Sequence, residues 1–236
     1  WEHELKNAYI GECRVPWANT VAYYPLNSTT TVNDMKGSWT AYNLTNSWVS
    51  FGTYNWVDCA NFNWSAYLSR TALSEFSSAP FTISLYVYYP SFPTSQQVWM
   101  MYIAQNDNGS WYRGFNMGMF RHSTMPHWYD YRIETLPWWA IFSWTRPEIT
   151  SWWIHFVWVF DNGTTYMYVN WTLSNSWSKS YTYWPNNWLY IWANNLGWTV
   201  EVKLIWWISN IIIENKARTA QEISDYYNIT KSNYWL

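Results

Sequence analysis

Ser151-Trp-Trp-Ile-His-Phe-Val-Trp-Val-Phe-Asp-Asn-Gly-Thr-Thr-Tyr-Met-Tyr-Val-Asn-Trp-Thr-Leu-Ser-Asn-Ser-Trp177 is the stretch whose reading decides the fold. Two runs of β-branched and aromatic residues flank Asp161-Asn162-Gly163. A type I′ turn needs positive φ at both central residues, which Asn and Gly tolerate, so Asn162-Gly163 predicts a two-residue β-hairpin. The turn sets the register: Phe160 opposite Thr165, Trp158 opposite Met167, Phe156 opposite Val169. That apolar face is the expected core side. The other face sets His155, Val157, Val159 and Asp161 against Asn170, Tyr168, Tyr166 and Thr164. One dry face and one mixed face is the pattern of an antiparallel sandwich.

Composition agrees with one large β domain. The 236 residues are 49% hydrophobic, enough for a sizeable core, and only 12% charged, about half the usual ~25%. The net charge is -2 and no basic cluster is present, which argues against nucleic acid as a partner. The 24 Trp and 21 Tyr exceed what a core can hold, so many are expected on surfaces or in interfaces, where these residues concentrate binding energy. No apolar run reaches the ~18 residues of a membrane helix; Trp152–Phe160 and Leu204–Ile208 are strand-sized. The N-terminus shows no leader pattern, as expected of the mature start of a secreted chain.

Cys13 and Cys59 are the 2 cysteines. In an oxidising compartment they would pair and tie the N-terminal segment to the sheet; otherwise they are two separate thiols. Glycosylation sequons fall at Asn27, Asn43, Asn63, Asn108, Asn162, Asn170 and Asn228, which again points to a secretory or cell-surface setting. Asn162, at the hairpin tip, is the most accessible acceptor expected.

Along the chain, residues 1–15 form a tail holding Glu2, Glu4, Lys6, Glu12 and Arg14, and residues 16–236 form the domain. Trp1–Ile10 is a candidate docking strand for a neighbour's sheet edge. Strands are expected at Val21–Leu26, Trp39–Leu44, Trp48–Val57, Phe81–Tyr89, Val98–Gln105, Tyr112–Phe120, Trp188–Ala193 and Val200–Ile213, the last broken near Ser209-Asn210. In Phe81-Thr-Ile-Ser-Leu-Tyr-Val, residues Phe81, Ile83, Leu85 and Val87 share one face. His122–Arg146 reads as a long loop with one short strand. Thr219-Ala-Gln-Glu222 is a capping box opening a short helix, Ala220–Tyr227.

Several of these segments carry a resemblance. Val21-Ala-Tyr-Tyr-Pro-Leu, Asp34-x-x-Gly37, Phe81-Thr-Ile-Ser-Leu-x-Val-Tyr, Trp153-x-His155, Phe160-Asp-Asn-Gly-Thr, Tyr168-Val, Leu189-Tyr-Ile-x-Ala-Asn-Asn and Gln221-Glu-Ile-Ser-Asp-Tyr-Tyr-Asn follow in order. In this order the chain resembles the laminin-G-like, concanavalin A-like jelly-roll family. The resemblance implies an all-β, two-sheet antiparallel jelly-roll sandwich with one short C-terminal helix, mostly extracellular, binding glycans or proteins rather than catalysing. It also places glycine where this chain has Trp39, Trp171, Trp192, Trp198 and Trp206. Many members hold calcium on a loop like Val57-Asp58-Cys59 and on the final long strand. Asp58 fits, but Ser209-Asn210 stands where an acidic pair is usual, and calcium wants several hard oxygens.

Catalytic patterns are not visible. Glycoside hydrolysis on such a sandwich needs two facing carboxylates, and Glu134, Glu148, Glu201 and Glu214 are isolated in sequence. His122, His127 and His155 lack the company of a zinc site, and His155 reads as a packed, hydrogen-bonded residue. No catalytic residue and no cofactor is therefore expected, calcium at Asp58 being the one metal considered. Binding is left. The aromatic candidates are Trp138, Trp139, Trp152, Trp171, Trp198 and Trp206. In each adjacent Trp pair one side chain points inward and the other outward, unless covered. The leading expectation is a non-catalytic extracellular jelly-roll protein, a structural or adhesive subunit of a surface homopolymer held by aromatic contacts and N-glycosylated. The alternative is a carbohydrate-binding lectin module, and a glycoside hydrolase comes third.

Overall fold

The computed structural model describes residues 18–26, 43–62, 65–71, 80–88, 98–107, 110–121, 129–136, 139–142, 153–178, 188–191, 194–196, 199–201 and 206–234. The tail, residues 1–15, lies outside them. The strands are β1 (Thr20–Tyr24), β2 (Thr45–Ser47), β3 (Ser50–Tyr54), β4 (Val57–Phe62), β5 (Tyr67–Thr71), β6 (Phe81–Tyr88), β7 (Val98–Asp107), β8 (Ser110–Arg121), β9 (Tyr129–Leu136) and β10 (Trp139–Phe142). They continue with β11 (Trp153–Asp161), β12 (Thr164–Val169), β13 (Thr172–Ser178), β14 (Trp188–Ile191), β15 (Asn194–Leu196), β16 (Thr199–Glu201) and β17 (Trp206–Glu214). Helix α1 (Ala220–Thr230) and a 3-10 turn (Lys231–Tyr234) follow.

The strands build a two-sheet antiparallel sandwich. The first sheet runs β13-β12-β11-β6-β17-β4-β3, with β1 paired to β17; the second runs β10-β9-β8-β7-β14-β5-β2; β15 and β16 form a separate ribbon. The β11–β12 hairpin has the register its turn dictates, with Phe160↔Thr165, Trp158↔Met167 and Phe156↔Val169. Asn162 and Gly163 have φ of 43° and 94°, the left-handed values of a type I′ turn.

The core lies between the sheets. Phe156, Trp158 and Phe160 join Phe81, Ile83, Leu85 and Val87 there, with Phe115, Met117, Leu189 and Ile191. Trp158 meets Phe81 and Phe115 edge-on, ring centroids 4.9 and 4.6 Å away, the geometry aromatic quadrupoles favour.

Three expectations need correcting. Trp48–Val57 is not one strand, because the chain reverses at Asn55-Trp56 and β3 pairs with β4. His122–Arg146 contributes two paired strands, β9 and β10, not one. The break at Ser209-Asn210 is a bulge inside a continuous β17: the ladder to β6 shifts register between Ser209 and Ile212, with Asn210 at φ 51°. A bulge adds one residue and bends a strand without ending it.

The capping box is as read, with Thr219 and Glu222 capping each other's backbone, and the helix runs on to Thr230. Its buried side chains are Ile223, Tyr226, Tyr227 and Thr230. Ile223 packs with Val157, Val159 and Tyr168, while Tyr226 and Tyr234 pack with Tyr86, Trp153 and Ile212. On the mixed face of the hairpin, His155, Val157, Val159 and Tyr168 are thus buried as well. Glu214 and Arg218 form a buried ion pair where the chain leaves β17, and Thr82 anchors the same connection, donating to the Lys216 carbonyl and accepting from the Arg218 amide.

Candidate functional site

The outer face of the first sheet carries a continuous row of aromatic rings, and its two ends differ. At the β11 end the rings are covered. His155 lies over Tyr86 with centroids 4.6 Å apart and faces Tyr226 and Tyr227. Tyr234 stacks on Tyr86 at 3.6 Å and meets Trp153 edge-on. The Tyr86 hydroxyl bonds to that of Thr230. His155 is a packed residue, as expected.

At the β3 end the row comes to the surface. Tyr54, half-buried, stacks on Trp207 with centroids 4.1 Å apart and planes 17° apart. Tyr88 tilts against both, and its hydroxyl lies 3.4 Å from that of Tyr54. Burial, then the neighbouring Tyr54 hydroxyl, pushes the Tyr88 phenol up to about 12, so Tyr88 stays a neutral donor and acceptor at ordinary pH. Two residues beyond Tyr54, Trp56 is 85% exposed.

Trp56 sits in left-handed backbone, φ 64°, after Asn55 at 46°. Trp48, at the other end of β3, has φ 65° and is 83% exposed. A side chain in this region costs about 1–2 kcal/mol relative to right-handed backbone, and glycine carries no such penalty. Both indoles are therefore strained at the backbone and gain little burial within the chain. Asn46 helps hold the bend at Trp48 by accepting from the Val49 amide at 2.8 Å and donating to its carbonyl at 3.0 Å.

The residues expected to act fall in different places. Trp171 is in the β12–β13 turn with φ 69°, half exposed, 6.4 Å from Tyr227; this is the left-handed position where the resemblance expects glycine. Trp139 opens β10 and Trp206 opens β17. Trp138, Trp152 and Trp198 lie outside the described residues. Of the Trp pairs, Trp153 faces outward yet is buried under Tyr234, and Trp207 faces outward at the surface stack. Tyr54, Trp48, Trp56 and Trp207 were not singled out by the sequence. The available signal was Asn55-Trp56 between two alternating runs, the same dipeptide as Asn170-Trp171.

Asp58, the candidate calcium ligand, is exposed. Its carboxylate accepts from the Thr53 hydroxyl at 2.7 Å. On the final strand, Ser209 donates to the Asp58 carbonyl, and the Asn210 amide is bonded to Tyr23 and Tyr234. Among the described residues no three His, Cys, Asp or Glu side chains gather as metal ligands. Calcium at Asp58 would need oxygen ligands beyond those the described residues bring to it. Glu214 is likewise committed to Arg218.

Cys59 is a buried free thiol, 3.4 Å from the Gly52 carbonyl, and burial pushes its pKa up to about 12. Cys13, its expected partner, lies outside the described residues, as do Asn27, Asn63 and Asn108. Of the other sequons, Asn162 and Asn228 are exposed and Asn43 and Asn170 are half-buried. The Asn170 carboxamide oxygen accepts from the His155 backbone amide at 2.9 Å, while the Asn170 backbone amide donates to the His155 carbonyl at 2.9 Å.

No protein-family model matches the chain, and no curated protein matches it. Solved structures do. The binding domain of botulinum neurotoxin DC in complex with SialylT superposes with a TM-score of 0.65 at 11% identity, over 89% of this chain and 51% of that one. The same domain in complex with rat synaptotagmin II gives 0.63 at 12%, with the same coverage. Domain 4 of AbnA, a GH43 extracellular arabinanase from Geobacillus stearothermophilus, in complex with arabinotriose, gives 0.62 at 15% over 88% of this chain and 97% of that one. The chain shares their fold. It spans about half the length of the neurotoxin domains. Among the described residues no helix is long and apolar enough to cross a membrane.

Proposed function

We propose that this chain is a non-catalytic, extracellular carbohydrate-binding module, with its sugar-contacting surface at the exposed end of the aromatic row. The observation that carries this reading is Tyr54 stacked on Trp207 at 4.1 Å beside the 85% exposed indole of Trp56. Amphipathic rings present an apolar face to a sugar ring and a polar edge to its hydroxyls. Two compared structures of this fold are complexes with SialylT and with arabinotriose, which supports the reading. The fibre-subunit expectation draws no comparable support from the compared structures.

The test is an array of neutral and sialylated glycans probed with the purified chain, with tryptophan fluorescence titrations on the hits. A discrete set of glycans that perturbs tryptophan emission saturably is the expected result. An array without a hit, together with sedimentation showing self-assembled polymers, would return the fibre-subunit reading to first place.

A further inference from the structure

The two exposed, strained indoles are not scattered. Trp48 and Trp56 bracket β3, and among the described residues β3 is the edge strand of the first sheet, paired only with β4. Trp48 and Trp56 are eight residues apart along the chain, a span of up to about 26 Å at ~3.3 Å per extended residue. Between them lie Val49, the β3 residues Ser50, Phe51, Gly52, Thr53 and Tyr54, and Asn55. Gly52 is exposed, and a Cβ built there meets nothing within 4 Å, so the strand is an open shelf rather than a pocket wall. Backbone strain kept at solvent-facing positions, where glycine would relieve it, points to a role outside the chain's own packing.

We infer that β3 is the floor of an elongated subsite for a linear, neutral oligosaccharide, with Trp48 and Trp56 stacking on it at opposite ends and Tyr54 between them. This rests on the glycan-binding reading and specifies its ligand class. Length follows from the spacing, since a single sugar ring reaches one indole and a chain reaches both. Neutrality follows from the shelf. Its side chains are hydroxyls, a phenol and apolar groups, and among the residues of β3 and β4 the charge is the Asp58 carboxylate, bonded to Thr53, which repels acidic sugars. A peptide adding a strand to β3 would call for pockets on alternate residues, and Gly52 and Thr53 offer exposed, open surface.

The experiment is calorimetry on the whole chain with linear arabinan, glucan and mannan oligosaccharides from disaccharide to hexasaccharide, repeated with Trp48→Gly and Trp56→Gly. Affinity should climb with length until both indoles are reached and then level off. Each substitution should weaken the hexasaccharide by about tenfold or more, as loss of an aromatic anchor does, and remove the gain with length. Each variant should also melt at or above the native temperature, because glycine relieves the left-handed backbone, so weakened binding could not be ascribed to misfolding. Sugar binding that ignores length, or that survives both substitutions, overturns the subsite and leaves the glycan reading standing. Failure of every glycan, with binding of extended peptides instead, overturns both.

Discussion

The β11–β12 hairpin turns through Asn162 (φ 43°) and Gly163 (φ 94°), and the β3–β4 hairpin through Asn55 (φ 46°) and Trp56 (φ 64°). Both turns are left-handed at both central residues because that twist matches the right-handed twist of the flanking strands. The strands choose the turn, and the residue at its second position is then free to be ideal or costly. In β11–β12 it is ideal, and both faces of the long strand are buried. In β3–β4 it is costly, and the strand is an exposed edge. The hairpin that organises the core has a glycine tip, whereas the hairpin that organises the surface has an indole.

The comparison can be broken at its strongest point first. Trp158→Ala removes a fully buried side chain and should cost about 3–5 kcal/mol in denaturant unfolding; a loss below about 1 kcal/mol would mean that β11–β12 is not the centre of the core. Gly163→Trp makes the first tip resemble the second. A Cβ at Gly163 meets nothing within 4 Å, so the cost should be the backbone strain alone, about 1–2 kcal/mol. A much larger loss would show that the two turns are not equivalent.

The smallest effect lies in the helix that covers the β11–β12 side. Burial pulls the Glu222 carboxyl upward, but Lys216 and the Thr219 cap outweigh it and hold its pKa below 4.5. The stabilisation is therefore fully present above that ordinary value and is lost as pH falls through the lower, folded value. Glu222→Gln should flatten this acid decline in thermal melts. The difference should stay under about 1 kcal/mol, because the pair is solvent-exposed in part. A Glu222→Gln melt that keeps the native acid slope would remove Glu222 from the account.

Much of the fold was legible because its signals are local. The Asn162-Gly163 turn set a six-pair ladder, alternation placed Phe81, Ile83, Leu85 and Val87 inward, and Thr219-x-x-Glu222 opened the helix. The candidate site was less legible. Asn55-Trp56 reads as mid-strand because a bulky indole in left-handed backbone contradicts ordinary turn chemistry. Asn170-Trp171 was noticed because the resemblance expects glycine at Trp171.

By itself the sequence determined which residues pair across a turn and which face of a strand is apolar, because period and turn type act over a few neighbouring residues. The tertiary structure alone decided what covers the second face. His155, Val157 and Val159 read as a mixed surface and are buried because α1, more than 50 residues further on, lies across them. It also decided that β3 is an edge among the described residues. No local pattern encodes which strand is left without a neighbour, and that placement makes Trp48 and Trp56 a surface pair.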